Sequence, residues 1–174
     1  HGGDVGFDKC RFEVVESSSN SLVLKHHSPD GDEGFPGNFD LTVTYKLEDD
    51  GALNIDYYAT CDQECPACIT NHSYFNLNGH HSKFNSKQIL VIDSRSIPTG
   101  EVYDVTKRTD KVDNFNFTSE KKLANSVADF ADDENMKYTG GYDHAFIIND
   151  FGNDKIPCVT ILGEVVEGKQ VKME

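Results

Sequence analysis

The chain has 174 residues, enough for one domain with a sizeable core and too few for two. Hydrophobic residues make up 37% and charged residues 26%, and no apolar run approaches the roughly 18 residues that span a bilayer, so no membrane partner is expected. A formal charge of −14, from 30 acidic and 16 basic residues, opposes phosphate backbones, whose binding rests on clustered Lys and Arg, so nucleic acid is not expected either, whereas a neutral ligand is indifferent to that charge.

In chain order, short strand-like runs come first at Phe12 to Val15 and Ser21 to Leu24. Asp30-Gly31-Asp32-Glu33-Gly34 has the look of a calcium loop, but an EF-hand needs glycine at its sixth position and an acid at its twelfth, where this chain has Phe35 and Leu41. A structured turn built on the glycines and Pro36 is expected instead. Phe39 to Leu47 alternates cleanly, with Phe39, Leu41, Val43, Tyr45 and Leu47 on one face, the pattern of a half-buried strand. After Glu48-Asp49-Asp50-Gly51 the alternation resumes with Leu53, Ile55, Tyr57 and Ala59, so the two runs read as an antiparallel hairpin. A strand-like run ends at Ile69 and Thr70, and a turn follows at Asn78-Gly79. Further short strands are predicted at Gln88 to Ile92, Ala145 to Ile148 and Cys158 to Leu162, with a hairpin around Gly163 and Gly168 that leaves Glu164 and Glu167 as exposed turn carboxylates. The single helical pattern is Glu120 to Ala131, where Leu123, Val127 and Phe130 share a face behind a cap at Thr118 or Ser119. Asp132-Asp133-Glu134 reads as a solvated loop. Many short strands broken by turns predict an all-β chain of sandwiched antiparallel sheets with one short helix.

The chemistry concentrates in Asn71-His72-Ser73-Tyr74-Phe75-Asn76-Leu77-Asn78-Gly79. A lone histidine is more often a core residue satisfied by its neighbours. Here the hydroxyls of Ser73 and Tyr74 and the amides of Asn71 and Asn76 crowd the same segment, and polar groups buried that densely need partners or a ligand. The five cysteines are odd in number and cannot all pair within the chain, which favours reduced thiols and a cytoplasmic setting. Cys61, Cys65 and Cys68 lie close together, but a zinc site wants four ligands, commonly as two separated pairs, and a redox Cys-x-x-Cys opens a helix. The surroundings of Cys65-Pro66-Ala67-Cys68 read as strand, so neither metal nor redox role is assigned and plain thiols are expected. Asn71-His72-Ser73 and Asn116-Phe117-Thr118 match the glycosylation sequon, a short pattern that arises often by chance.

The central phrase resembles the motif of the aldose 1-epimerases, or galactose mutarotases, which interconvert the anomers of an aldohexose. Three more phrases agree in the family's order: His1-Gly2-Gly3 leading to Gly6-Phe7-Asp8-Lys9, Ser28-Pro29-Asp30-Gly31-Asp32-Glu33-Gly34-Phe35-Pro36-Gly37, and Gly141-Tyr142-Asp143-His144-Ala145-Phe146. The resemblance implies the family's large antiparallel β-sandwich as a single domain over residues 1–174. It implies galactose or glucose as substrate, no cofactor and no metal. Opening the pyranose ring takes an acid and a base, and a histidine, with an ordinary pKa of about 6.5, suits the acid role. The resemblance gives that role to His72. It makes His1 the second catalytic histidine, on the ring-oxygen side of the sugar, although an N-terminal histidine taken alone reads as a frayed end or a tag remnant. Asp143 is carried over as a carboxylate that accepts from sugar hydroxyls, beside the plainer reading of a turn aspartate after Gly140-Gly141. His144 has no assigned chemistry. The family's general-base glutamate falls beyond Glu174 and its substrate-binding arginine ahead of His1, so the chain is expected to be the middle part of a longer one, incomplete at both ends. A non-catalytic carbohydrate-binding protein on the same fold is the alternative. An epimerase of hexose 6-phosphates would need a basic cluster that no segment offers. The expected state is a monomer or weak dimer.

Overall fold

The structure, a computed structural model, describes residues 2–79, 81–107, 114–123 and 133–174. The chain forms β1 (Glu13–Ser17), β2 (Ser21–Ser28), a 3-10 turn (Asp32–Gly34), β3 (Phe39–Leu47), β4 (Leu53–Cys61), β5 (His81–Phe84), β6 (Ser86–Ile92), β7 (Pro98–Asp104), β8 (Lys121–Lys122), α1 (Glu134–Thr139), β9 (Phe146–Ile148), β10 (Val159–Leu162) and β11 (Lys172–Met173). Each described strand pairing is antiparallel. The chain divides into two compact units, His1–Ser73 and Tyr74–Glu174.

The first unit is one sheet in the order β1-β2-β3-β4. Its centre is β3, whose alternation seats Phe39, Leu41 and Val43 in the core. Phe7, Phe12, Tyr45, Ile55, Cys61, Cys65 and Ile69 pack against them. β3 and β4 pair from Phe39 opposite Cys61 to Leu47 opposite Leu53, as the hairpin reading requires. The turn closes with Glu48 N donating to Ala52 O at 2.8 Å and Gly51 N to Glu48 O at 3.0 Å. Gly51 has φ 89°, a conformation that glycine adopts without penalty. β4 is more open than β3: Leu53 and Tyr57 are 52% and 38% exposed and only Ile55 and Cys61 are partly buried. β4 is an edge strand, so its inward face has a neighbour on one side alone.

The 30–37 loop is a structured turn, as expected. Asp30 Oδ1 accepts from Gly37 N at 2.7 Å and from Gln63 Nε2 at 3.0 Å, and Ser28 Oγ donates to Asp32 Oδ2 at 2.7 Å. Gly31, Gly34 and Gly37 all have positive φ.

The second unit holds two sheets, β11-β10-β5-β8 and β7-β6-β9. Ile89, Val105, Phe115 and Met136 form its core, joined by Tyr103, Tyr142 and Phe146. Phe84 stacks on Phe117 with ring centroids 4.6 Å apart and meets Phe146 edge-on. The hairpin expected late in the chain is present: β10 pairs with β11, and Glu167 and Gly168, both at positive φ, turn between Val166 and Lys169.

Two expectations change here. The helix predicted over Glu120 to Ala131 does not begin as proposed, because Lys121 and Lys122 pair with Ser82 and His81 as β8. Residues 124–131 lie outside the described residues. The described helix is α1, and the stretch read as a solvated loop starts it. Asp133 is buried and its carboxylate accepts from Asn135 N at 3.2 Å as the N-cap, Glu134 opens the first turn, and Gly140 at φ 68° closes the last.

Candidate active site

Residues 64–77, which carry His72, belong to no strand. The strand expected to end at Ile69 and Thr70, and the strand surroundings of Cys65 to Cys68, are therefore corrected. Pro66 has no N–H to give a ladder, and the side chains of Asn71 and Asn76 close local turns. Asn71 Oδ1 accepts from Ser73 N, and Asn76 Oδ1 from Asn78 N, each at 2.9 Å. These side chains offer the backbone an alternative to sheet pairing. The segment is also more open than dense polar burial would require. Residues 71–76 are exposed, Tyr74 at 90% and Phe75 at 54%. Asn78 and Gly79 make the expected turn at φ 57° and 111°.

His72 lines a cleft of about 480 Å³ in the first unit. Leu41 and Val43 give it an apolar floor, and Asp8, Tyr45, Tyr57 and Asn71 bring polar groups to it. Burial and the neighbouring Tyr45 push the Tyr57 phenol above its ordinary value, while a side-chain hydrogen bond with Asn71 acts in the opposite sense. Tyr57 therefore stays a neutral phenol over the physiological range, able to donate as well as accept. An imidazole, two phenols, an amide and a carboxylate around an aliphatic floor suit a ring that presents hydroxyls at its edge and C–H groups on its faces.

The N-terminal motif and the 30–37 loop meet within the same unit. Asp4 N donates to Glu33 Oε2 at 2.6 Å, and Gly3 lies so close to the Glu33 side chain that a Cβ there would overlap it. Lys9 N donates to Gly6 O at 2.9 Å, which fixes the turn carrying Asp8. His1 itself lies outside the described residues.

Asp143 belongs to the second unit. It is exposed in the extended run after α1, where Thr139 Oγ1 donates to Gly141 O at 2.6 Å and Asp143 N donates to His144 Nδ1 at 3.4 Å. His144 packs edge-on against Phe115 at 4.6 Å. Burial lowers its pKa, against the attraction of Asp133 and Asp143 and a contribution from the Asn135 backbone. The site residues carried by the two units are thus His72 in the first and Asp143 in the second.

Glu164 is not a bare turn carboxylate. Lys122 Nζ donates to its Oε1 at 3.0 Å and His81 Nε2 lies 3.6 Å away. Lys122 is the main reason its pKa falls below the ordinary carboxylate range. Its backbone N donates to Asn78 O at 2.8 Å, tying the end of the central motif to the strand exit at Gly163. Glu167 is an exposed turn residue.

The five cysteines are free thiols, and no group of three or more His, Cys, Asp or Glu among the described residues is arranged to hold a metal ion. None of the described helices is long and apolar enough to cross a membrane.

The cleft partners Tyr45, Tyr57 and Asp8 were not singled out from the sequence as site residues. Their signal was present: Tyr45 and Tyr57 are phenols on the hairpin face whose other side chains, from Phe39 to Ala59, are purely apolar.

Compared with known proteins, residues 1–162 match the family model described as Aldose 1-epimerase. The aldose 1-epimerase of Escherichia coli K12 is 37% identical over 158 residues, covering 89% of this chain and 44% of that protein. The human galactose mutarotase is 35% identical over 156 residues, covering 85% of this chain and 42% of that protein. Among solved structures, the galactose 1-epimerase of Lactobacillus acidophilus NCFM superposes with a TM-score of 0.73 at 25% identity, over 90% of this chain and 46% of that one. A GalM/aldose epimerase homologue from C. elegans gives 0.71 at 24% identity, over 92% and 47%, a likeness of fold. The chain spans a little under half the length of each of these relatives.

Proposed function

The chain belongs to the aldose 1-epimerase family, and from that membership we propose that it interconverts the α and β anomers of aldohexoses, galactose or glucose, by acid/base opening of the pyranose ring. The observation that carries the reading is His72 in the lining of a cleft to which Asp8, Tyr45, Tyr57 and Asn71 bring further polar groups. In this mechanism the protonated His72 imidazole gives its proton to the ring oxygen as the bond to C1 breaks. The C1 hydroxyl loses its proton to a carboxylate and becomes the aldehyde carbonyl. Rotation about C1–C2 presents the other face, and reversal of both proton transfers closes the ring on the opposite anomer. Glu164, held by Lys122 with a depressed pKa, is a weak proton acceptor, so neither it nor the exposed Glu167 is assigned that task.

His1 serves as the second histidine, on the ring-oxygen side, and Asp143 accepts from sugar hydroxyls. We count residues 1–174 as part of one mutarotase-like sandwich domain acting in the cytoplasm, as a monomer or weak dimer, without cofactor and without nucleic-acid or membrane partners.

Polarimetry on freshly dissolved α-galactose and α-glucose tests the proposal. Rotation should relax to its equilibrium value faster in the presence of the intact protein, general-base glutamate included, than in buffer. A protein that binds either sugar yet leaves the decay at the buffer rate is a carbohydrate-binding module instead.

A further inference from the structure

We propose that Cys61 and Cys65 are an oxidisable dithiol, a modification site at which a peroxide closes an intrachain disulfide at the exit of β4. The geometry comes from the way the chain leaves the sheet. Cys61 is the last residue of β4, opposite Phe39. Directly after it Asp62 is clamped by Asn38, whose N donates to Oδ1 at 2.8 Å and whose Nδ2 donates to Oδ2 at 2.7 Å. Gln63 Nε2 reaches Asp30 Oδ1 at 3.0 Å. These bonds hold residues 62 and 63 against the 30–38 loop, and the chain that follows returns to the sheet it has just left. Cys61 and Cys65 then pack against the same buried cluster of Phe39, Leu41 and Val43, whereas Cys68 is exposed and does not join it.

The two thiols lie close enough to interact, since Cys61, after burial, is a cause of the raised Cys65 pKa. Cys65 Sγ makes a further contact with Pro66 O at 3.2 Å and Cys61 Sγ one with Pro36 O at 3.8 Å. The pair suggested by spacing, Cys65 with Cys68, is thus not the pair that the fold brings together.

The two sulfurs have different parts in the chemistry. Burial first, and the neighbouring Cys61 second, raise the Cys65 pKa and slow its ionisation, and in the proposed step Cys61 attacks first. The Cys61 thiolate, its proton released to water, attacks one oxygen of hydrogen peroxide. An S–O bond forms, the O–O bond breaks, and hydroxide leaves and is protonated to water. The Cys61 sulfenic acid is then attacked by the Cys65 sulfur, which forms the S–S bond and breaks the S–O bond, and the departing hydroxide takes up the Cys65 proton as the second water. Two thiols and one peroxide give one disulfide and two waters, and a dithiol reductant reverses the change.

The test treats the folded protein with hydrogen peroxide, blocks remaining thiols with iodoacetamide, and digests with a protease that cuts after glutamate. Cleavage after Glu64 separates the two cysteines, so a bridge leaves their peptides joined until dithiothreitol is added. The expected result is a Cys61–Cys65 crosslink as the first disulfide formed, and, in Cys65→Ser, a Cys61 sulfenic acid that dimedone traps. Alkylation of both residues after peroxide, or a first bridge from Cys65 to Cys68, would overturn the proposal. So would Cys61→Ser oxidising at Cys65 as fast as the unmodified chain does.

Discussion

His144 shows how one residue can be set by its surroundings to a single protonation state. Its Nδ1 accepts from Asp143 N, which requires that nitrogen to be unprotonated, and its ring packs against Phe115. Burial lowers its pKa from the ordinary 6.5, outweighing the carboxylates of Asp133 and Asp143 and the Asn135 backbone. The folded protein therefore takes up this proton less readily than the unfolded chain. The stability that His144 contributes is fully present above about pH 6.5 and is lost as pH falls from there through the folded value. Thermal unfolding measured from pH 8 to pH 5 should show His144→Gln losing less stability on acidification than the wild type. Asp104 behaves in the same sense at lower pH. The Thr106 hydroxyl and backbone N, and then Lys107, bring it to about 2. Its contribution is present above about pH 4 and is lost as pH falls towards 2, and Asp104→Asn should flatten the acid limb of the unfolding curve in that window.

The elements divide by how local their causes are. The β3–β4 hairpin was legible from end to end because apolar and polar residues alternate without a break from Phe39 to Leu47 and again from Leu53 to Thr60. What that pattern did not disclose is that β4 is an edge, since neighbours in a sheet are set by the whole topology. α1 was missed for a different reason. Six residues with one buried side chain, Met136, make too short a stretch for a periodic signal, and the acidic run before it looks like solvated loop until Asp133 is seen capping Asn135 N. β8 exists because Lys121 and Lys122 find a partner in β5, a tertiary event that no local propensity announces. Removing the cap by Asp133→Ala should cost about 1 kcal/mol and lower Tm by about 2–4 °C, read by calorimetry. Gly163→Ala is predicted to be worse. Its φ is ordinary, but an added Cβ would strike the backbone carbonyl of Leu77, and relief requires the end of the central motif to move. Overpacking of this kind costs about 1–3 kcal/mol, which a denaturant midpoint would record.

Across the whole molecule, the family was legible from four ordered phrases, and the site only in part. His72 and Asp143 stood out through the motifs that carry them. The groups that surround His72 come from residues far away in sequence, Asp8, Tyr45 and Tyr57, and only the fold collects them around one cleft. The exposure of residues 71–76 was likewise illegible, because a row of hydroxyls and amides looks the same whether it is buried against a ligand or closing its own turns. The thiols next to this site carry no part of the proposed ring-opening chemistry. Under reducing conditions Cys65→Ser combined with Cys68→Ser should leave mutarotation and metal content unchanged, and stoichiometric zinc lost in the double variant would contradict that.

In the proposed mechanism His72 donates the proton that frees the ring oxygen. The most direct measurement is the rate of α-galactose mutarotation by polarimetry for the intact protein and for His72→Ala, with folding of the variant checked by circular dichroism. Loss of a general acid predicts a fall of about 10² to 10⁴-fold. A folded variant within a few-fold of the wild type would remove His72 from the mechanism.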